Sequence, residues 1–130
     1  MQPFGRTRWA IAEGYLPERS QTRSRELASH ETACILNASD QAARVRITIF
    51  YADRDPAGPY EIIVPPRRTA HVRFDDLSEP EPIPRATDFS SVIESDVPII
   101  VQHTRLDHRS GAIALMTTTA WGEPDPEPQP

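Results

Sequence analysis

Val97-Pro-Ile-Ile-Val101-Gln-His-Thr-Arg105 is the stretch on which the fold turns. A β-strand sends successive side chains to opposite faces, so Ile99, Val101, His103 and Arg105 share one face. An apolar stripe that turns into imidazole and guanidinium is costly to bury unless those groups find partners. Other side chains, water, a ligand or a second subunit must satisfy them. Trp9-Ala-Ile-Ala-Glu13-Gly-Tyr15 and Ser29-His-Glu-Thr32 pose the same question, since each sets polar or aromatic groups into a strand-like run.

Working outward, the chain reads as strands separated by turn chemistry. Trp9 to Tyr15 places Trp9, Ile11, Glu13 and Tyr15 on one face. Glu31 to Asn37 follows, then Val45 to Tyr51 with Val45, Ile47, Ile49 and Tyr51 inward, Tyr60 to Val64, and Thr69 to Phe74. Phe89 to Ile93 reads as a short strand or a helical turn, Val97 to Leu106 as a separate strand, and Ala112 to Trp121 as a last strand of weaker alternation. Pro17 to Leu27 is polar and aperiodic, an exposed loop, and Asp107 to Gly111 is a turn. The segment from Asp75 to Asp88, with Pro80, Pro82 and Pro84, is expected to carry the chain from one sheet to another. No stretch sustains a helical period, so the expectation is all-β: a single-domain antiparallel β-sandwich, jelly-roll-like, over residues 1–121. Gly122 to Pro130 reads as a disordered, acidic, proline-rich tail, because proline cannot donate to a ladder.

Composition narrows the function classes. The 130 residues suit one domain, and removing the tail's three acidic residues from the net charge of −5 leaves −2. All 14 basic residues are arginine, yet they are scattered and outnumbered by acids, so a dedicated nucleic-acid surface is not indicated. Cys34, the single cysteine, cannot staple the domain internally and reads as a small buried hydrophobe in a reducing compartment. The first residues lack the apolar core of a signal peptide and no run is long enough to span a bilayer, which predicts a cytoplasmic protein.

His30, Glu31, His71 and His103 are the right chemical set for a divalent metal, but no two stand at a ligand-motif spacing. Adjacent His30 and Glu31 point to opposite faces of a strand, and no metal or cofactor is expected. Glu13, Glu31 and Asp107 are available carboxylates, but no nucleophile motif and no glycine-rich phosphate loop accompanies them. The reading is therefore of a protein that is not an enzyme, with a metal-dependent hydrolase built on the histidines as a distant rival. A binding cleft is the sharper candidate: Trp9 and Tyr15 flank Glu13, which suits stacking a sugar ring while a carboxylate accepts its hydroxyls. His103 and Arg105, with His30 and His71, would add polar contacts. The competing reading makes the aromatics core or subunit-interface residues, pairs Glu13 with an arginine, and mates the polar groups in a buried network. Arg67, Arg68 and Arg73 form a candidate basic patch beside His71; arginines on a strand edge are more often solvated and block edge-to-edge pairing.

Gly5-Arg-Thr, Trp9-Ala-Ile-Ala-Glu-Gly-Tyr15, Ser29-His-Glu-Thr32, Cys34-Ile-Leu-Asn37, Gly58-Pro-Tyr60, Arg67-Arg-Thr69, His71-Val-Arg-Phe74, Thr87-Asp-Phe89, Ser91-Val-Ile93 and Val97 to Asp107 together resemble the Anabaena-type sensory rhodopsin transducer family, over about Gly5 to Ala120. The resemblance implies a cytoplasmic β-sandwich assembling as a homotetramer, acting as a signalling adaptor by protein–protein recognition without catalysis. Its expected partner is the cytoplasmic face of a membrane photoreceptor. It also implies an alternative, a sensor module for a sugar-like small molecule with a link to transcription, because the sandwich is similar to carbohydrate-binding folds. The chain departs from the family pattern in the polar 17–27 loop and in the acidic tail, which puts the partner's identity in question rather than the fold.

Overall fold

A computed structural model describes residues 4–18, 24–109 and 112–126. The strands run β1 (Arg6–Ile11), β2 (His30–Asn37), β3 (Ala43–Tyr51), β4 (Ala57–Val64), β5 (Arg68–Arg73), β6 (Phe89–Arg109), β7 (Ala112–Thr119) and β8 (Trp121–Gly122). A 3-10 turn at Phe74–Asp76 follows β5. The two stretches read separately at Phe89–Ile93 and Val97–Leu106 are one 21-residue strand, and it continues through Asp107 and His108, where a turn was expected.

That continuity has a physical reason. The first half of β6 pairs with β3 as far as Ser95, and the second half pairs with β2 from Ile100 onward. Pro98 lies where the ladder changes partners, so its missing N–H leaves no strand bond unmade. Just before it, the Val97 N–H donates to Ser95 Oγ at 3.3 Å.

β6 is thus the spine of the molecule. Its first half sits in a sheet ordered β4-β3-β6-β1-β8, and its second half lies between β2 and β7, with β5 outside β2. Every pairing is antiparallel. Ile47, Ile49, Ile93 and Ile99 from the first sheet and Ile35 and Val101 from the second are fully buried in one core with Tyr60, Phe74 and Leu16. The fold is the expected all-β antiparallel sandwich. The proline-rich 77–88 segment links β5, in the second sheet, to the start of β6, in the first.

β1 ends earlier than its alternation suggests. Ala12, Glu13 and Gly14 leave the ladder, and Tyr15 keeps only an isolated bridge to Asp88. Gly14 packs so closely on Phe89 that a Cβ there would lie 2.6 Å from both its ring and its carbonyl oxygen. At the other end of the chain, β8 spans the expected boundary between Trp121 and Gly122, pairing Ala10 with Trp121 and Trp9 with Gly122. Residues 127–130 of the expected tail, 19–23 of the polar loop, and 110–111 of the expected turn lie outside the described residues.

Candidate functional site

The polar groups on the inner face of β6 are mated to one another. Glu31, on β2, is 1% exposed, and His103 is 5% exposed. Nε2 of His103 is hydrogen-bonded to Oε1 of Glu31 at 2.5 Å. Nη2 of Arg105 donates to Oε2 of Glu31 at 3.1 Å and to Oε1 of Glu13 at 2.6 Å. The backbone N–H of Tyr15 also donates to Oε2 of Glu31. Burial alone works against the charged guanidinium of Arg105, but the hydrogen bonds and charges of Glu13 and Glu31 outweigh it and hold its pKa above the usual arginine value. The side chains of four expected site residues and the backbone of a fifth, Tyr15, therefore form one clasp, which ties the segment leaving β1 to β2 and β6.

Trp9 takes no part in a ligand face. Its ring lies in the core, and its Nε1–H donates to the carbonyls of Arg6 at 3.0 Å and Ile99 at 3.1 Å. Glu13 borders a shallow groove of about 220 Å3 with Gly14, Tyr51, Asp88 and Phe89, and neither Trp9 nor Tyr15 lines it. The stacking platform expected from Trp9, Glu13 and Tyr15 is therefore corrected: the strand stops at Ile11, so the three no longer share a face. Two parts of the competing reading hold, a core Trp9 and a Glu13 paired with an arginine.

The remaining candidates are dispersed. His30 Nδ1 lies 2.7 Å from the Ala28 carbonyl, while its neighbour Glu31 faces the core, as strand alternation requires. His71 is exposed on β5, directly opposite Cys34. The expected basic patch also separates. Arg67, at the turn before β5, reaches Asp40 at 3.9 Å, and Arg68 is exposed. Arg73 is instead locked to Asp75 through two parallel bonds of 2.9 and 2.7 Å, a bidentate geometry that neutralises it. Among the described residues, no three His, Cys, Asp or Glu side chains converge as metal ligands would.

A feature the sequence reading passed over stands beyond the clasp. From Gln102 to Arg109, β6 pairs with β7, and β2 flanks it on the other side only as far as Leu106, so the end of the sheet narrows to a two-stranded ribbon. All eight residues of β7 are exposed, and Ile113, Leu115 and Met116 are each more than half exposed. Ile113 and Leu115 face one side of the ribbon and Met116 the other, so both sides present apolar groups. β7 pairs with β6 alone, leaving its outer edge without a strand partner among the described residues. The available signal was the weak alternation of Ala112 to Thr119: a strand with no buried face has no reason to alternate.

Three comparisons place the chain among known proteins. The family model described as "Anabaena sensory rhodopsin transducer" matches residues 4–122. A solved structure described as "Anabaena sensory rhodopsin transducer" is 61% identical, with a TM-score of 0.75, covering 81% of this chain and 91% of its own. A second, described as "Crystal Structure of Thermotoga maritima 1070", is 34% identical with a TM-score of 0.81, covering 95% and 97% respectively. A search of curated proteins finds no match. The match spans nearly the whole folded region, from two residues before β1 through β8, and the chain belongs to the Anabaena sensory rhodopsin transducer family.

Proposed function

We propose that this protein is a soluble cytoplasmic signalling adaptor, assembled as a homotetramer, that acts by protein–protein recognition without catalysis. The observation that carries the reading is the β6–β7 ribbon, apolar on both sides and open along one edge. Beyond Leu106 only β6 and β7 remain, and a two-stranded ribbon is marginal in water on its own. Exposed edges are ordinarily guarded by charge or proline, and Ala112 to Thr119 contains neither. Such a surface calls for a cover, and a second copy of the chain supplies one to every protomer at once.

For the receptor, we assign the cytoplasmic face of a membrane photoreceptor of the sensory rhodopsin class. Membership of the family and 61% identity to a protein described as a sensory rhodopsin transducer support it. No helix among the described residues is long and apolar enough to cross a membrane, so the partner, not this chain, would provide the span. The mechanism is a population shift: the two states of the receptor bind the adaptor unequally, and light moves it between bound and released pools.

The test is co-sedimentation with lipid vesicles carrying a sensory rhodopsin whose cytoplasmic loops face outward. The expected result is recovery of the protein with rhodopsin vesicles above that with empty vesicles of the same lipid, and a change in recovery on illumination. Equal recovery from both kinds of vesicle, in light and dark alike, overturns the assignment.

A further inference from the structure

The shallow groove that Glu13 borders is lined by acids and aromatic rings and by no described lysine, arginine or histidine. We propose that it receives one arginine side chain from the cytoplasmic face of the photoreceptor, a docking that rests on the adaptor reading for its partner. Glu13, Asp88, Phe50, Tyr51 and Phe89 are among the lining residues. Its volume of about 220 Å3 falls below the roughly 300–1,000 Å3 of metabolite and cofactor pockets, which suits a single inserted side chain.

Local structure brings acid and ring together. β1 stops at Ile11, and Ser90 Oγ donates to the Ala12 carbonyl at 2.6 Å, which keeps the departing chain beside β6 and carries Glu13 to the rim. Phe50 alternates with buried Ile49, so it lies on the outer face of the first sheet, opposite Ser90 and 41% exposed. Asp88 immediately precedes β6, where its backbone bridges to Tyr15, and its side chain is exposed. Among the described residues, the Asp88 carboxylate has no ion pair or hydrogen bond, and Glu13 uses only Oε1, on Arg105.

The neighbouring cations are committed. Arg105 is shared between Glu13 and Glu31, and Arg54 is gripped by Asp53 through bonds of 3.0 and 3.3 Å. With Glu13, Glu31, Asp53 and Asp88 set against Arg54 and Arg105, the excess of formal charge is negative. Arg54 also shows, at the margin of the groove, the pattern a guest would repeat: its guanidinium lies 5.1 Å from the centroid of the Tyr51 ring while its fork meets a carboxylate. For the guest, Phe50 is the ring, and Asp88 with Oε2 of Glu13 are the acceptors. Arginine suits the place better than lysine, because its planar fork stacks and donates at once. The receptor supplies the complement, since the cytoplasmic loops of membrane proteins carry an excess of lysine and arginine.

The experiment follows the backbone amide resonances of the isotope-labelled full chain during titration with N-acetyl-arginine amide, with the isosteric but uncharged N-acetyl-citrulline amide as control. Shifts centred on residues 12–14, 50–52 and 88–90 are expected with the arginine probe, and clearly weaker binding with citrulline. Asp88→Asn should weaken the arginine probe about two- to five-fold, the scale of one exposed ion pair. Phe50→Leu, which keeps apolar bulk without the ring, should weaken it as well, and unchanged thermal melts of both variants confirm their folds. In co-sedimentation with rhodopsin vesicles, Asp88→Asn should be recovered less than the wild-type chain. No shifts at the groove, equal binding of citrulline, or equal recovery of Asp88→Asn from vesicles that retain the wild type overturns the docking and leaves the adaptor reading standing. Failure of the wild-type chain itself to bind rhodopsin vesicles overturns both.

Discussion

Two neighbouring stretches of β6 depart from the usual inside–outside rule in opposite directions. Between Ile99 and Arg105, polar and charged groups enter the core: His103 is buried and Arg105 partly so, both on the buried carboxylate of Glu31. Between Leu106 and Arg109 the strand leaves the core, and apolar Ile113, Leu115 and Met116 of its partner β7 stand in solvent. The first departure is complete within one chain, because every charged group there has a named partner. The second is not: Leu27 and Ser29 reach His108, but all eight residues of β7 stay exposed among the described residues. Buried polarity here holds the fold together, and exposed apolarity is the surface that the proposed assembly would cover.

The largest effect expected from breaking this contrast lies at Glu31. Glu31→Ala removes the acceptor shared by His103, Arg105 and the Tyr15 amide, leaving the buried imidazole without its carboxylate and Arg105 with Glu13 alone. The cost should be about 3–5 kcal/mol, as for other broken buried pairs, read from urea unfolding. Exposed Glu13, the clasp's outer member, is the comparison: Glu13→Ala should cost well under half as much. Equal losses at the two positions would mean that Glu31 is not the centre of the network.

A smaller effect concerns a second intramolecular pairing, that of Asp75 with Arg73 and Arg85. Burial alone raises the pKa of Asp75, but the Arg73 hydrogen bonds and the charges of Arg73 and Arg85 outweigh it and hold the carboxyl below its ordinary value. A carboxylate whose pKa is depressed on folding contributes stability above its unfolded pKa, and that contribution is lost as pH falls through the folded value. Stability should therefore drop as the pH is lowered from about 4, close to the unfolded aspartate value. Asp75→Asn should flatten that part of the pH profile while lowering stability at neutral pH. A variant whose acid profile matches the original would remove Asp75 from the set of stabilising pairs.

Much of this architecture is legible in the chain, and the gaps have physical causes. Period-two alternation gives the shared face of Ile99, Val101, His103 and Arg105, and it separates buried Glu31 from half-buried His30. It does not give the partner, because Glu31 and His103 are 72 residues apart and nothing local announces their meeting. Alternation also overreaches at Glu13 and Tyr15: the pattern continues past Ile11, but close packing of Gly14 on Phe89 turns the backbone out of the sheet. The gap left between Ile93 and Val97 misleads in the other direction, since β6 runs through it unbroken as it passes from one sheet to the other.

The ribbon supports the most direct test. Sedimentation equilibrium of the wild-type chain and of Leu115→Arg should give a tetramer for the first and smaller species for the second. Unfolding of the dissociated variant should remain cooperative, since an exposed side chain contributes little to the protomer's own stability, about 0.5 kcal/mol or less. A wild-type protein that sediments as a single protomer, or a Leu115→Arg variant that remains tetrameric, would contradict the claim that the ribbon is covered by copies of the same chain.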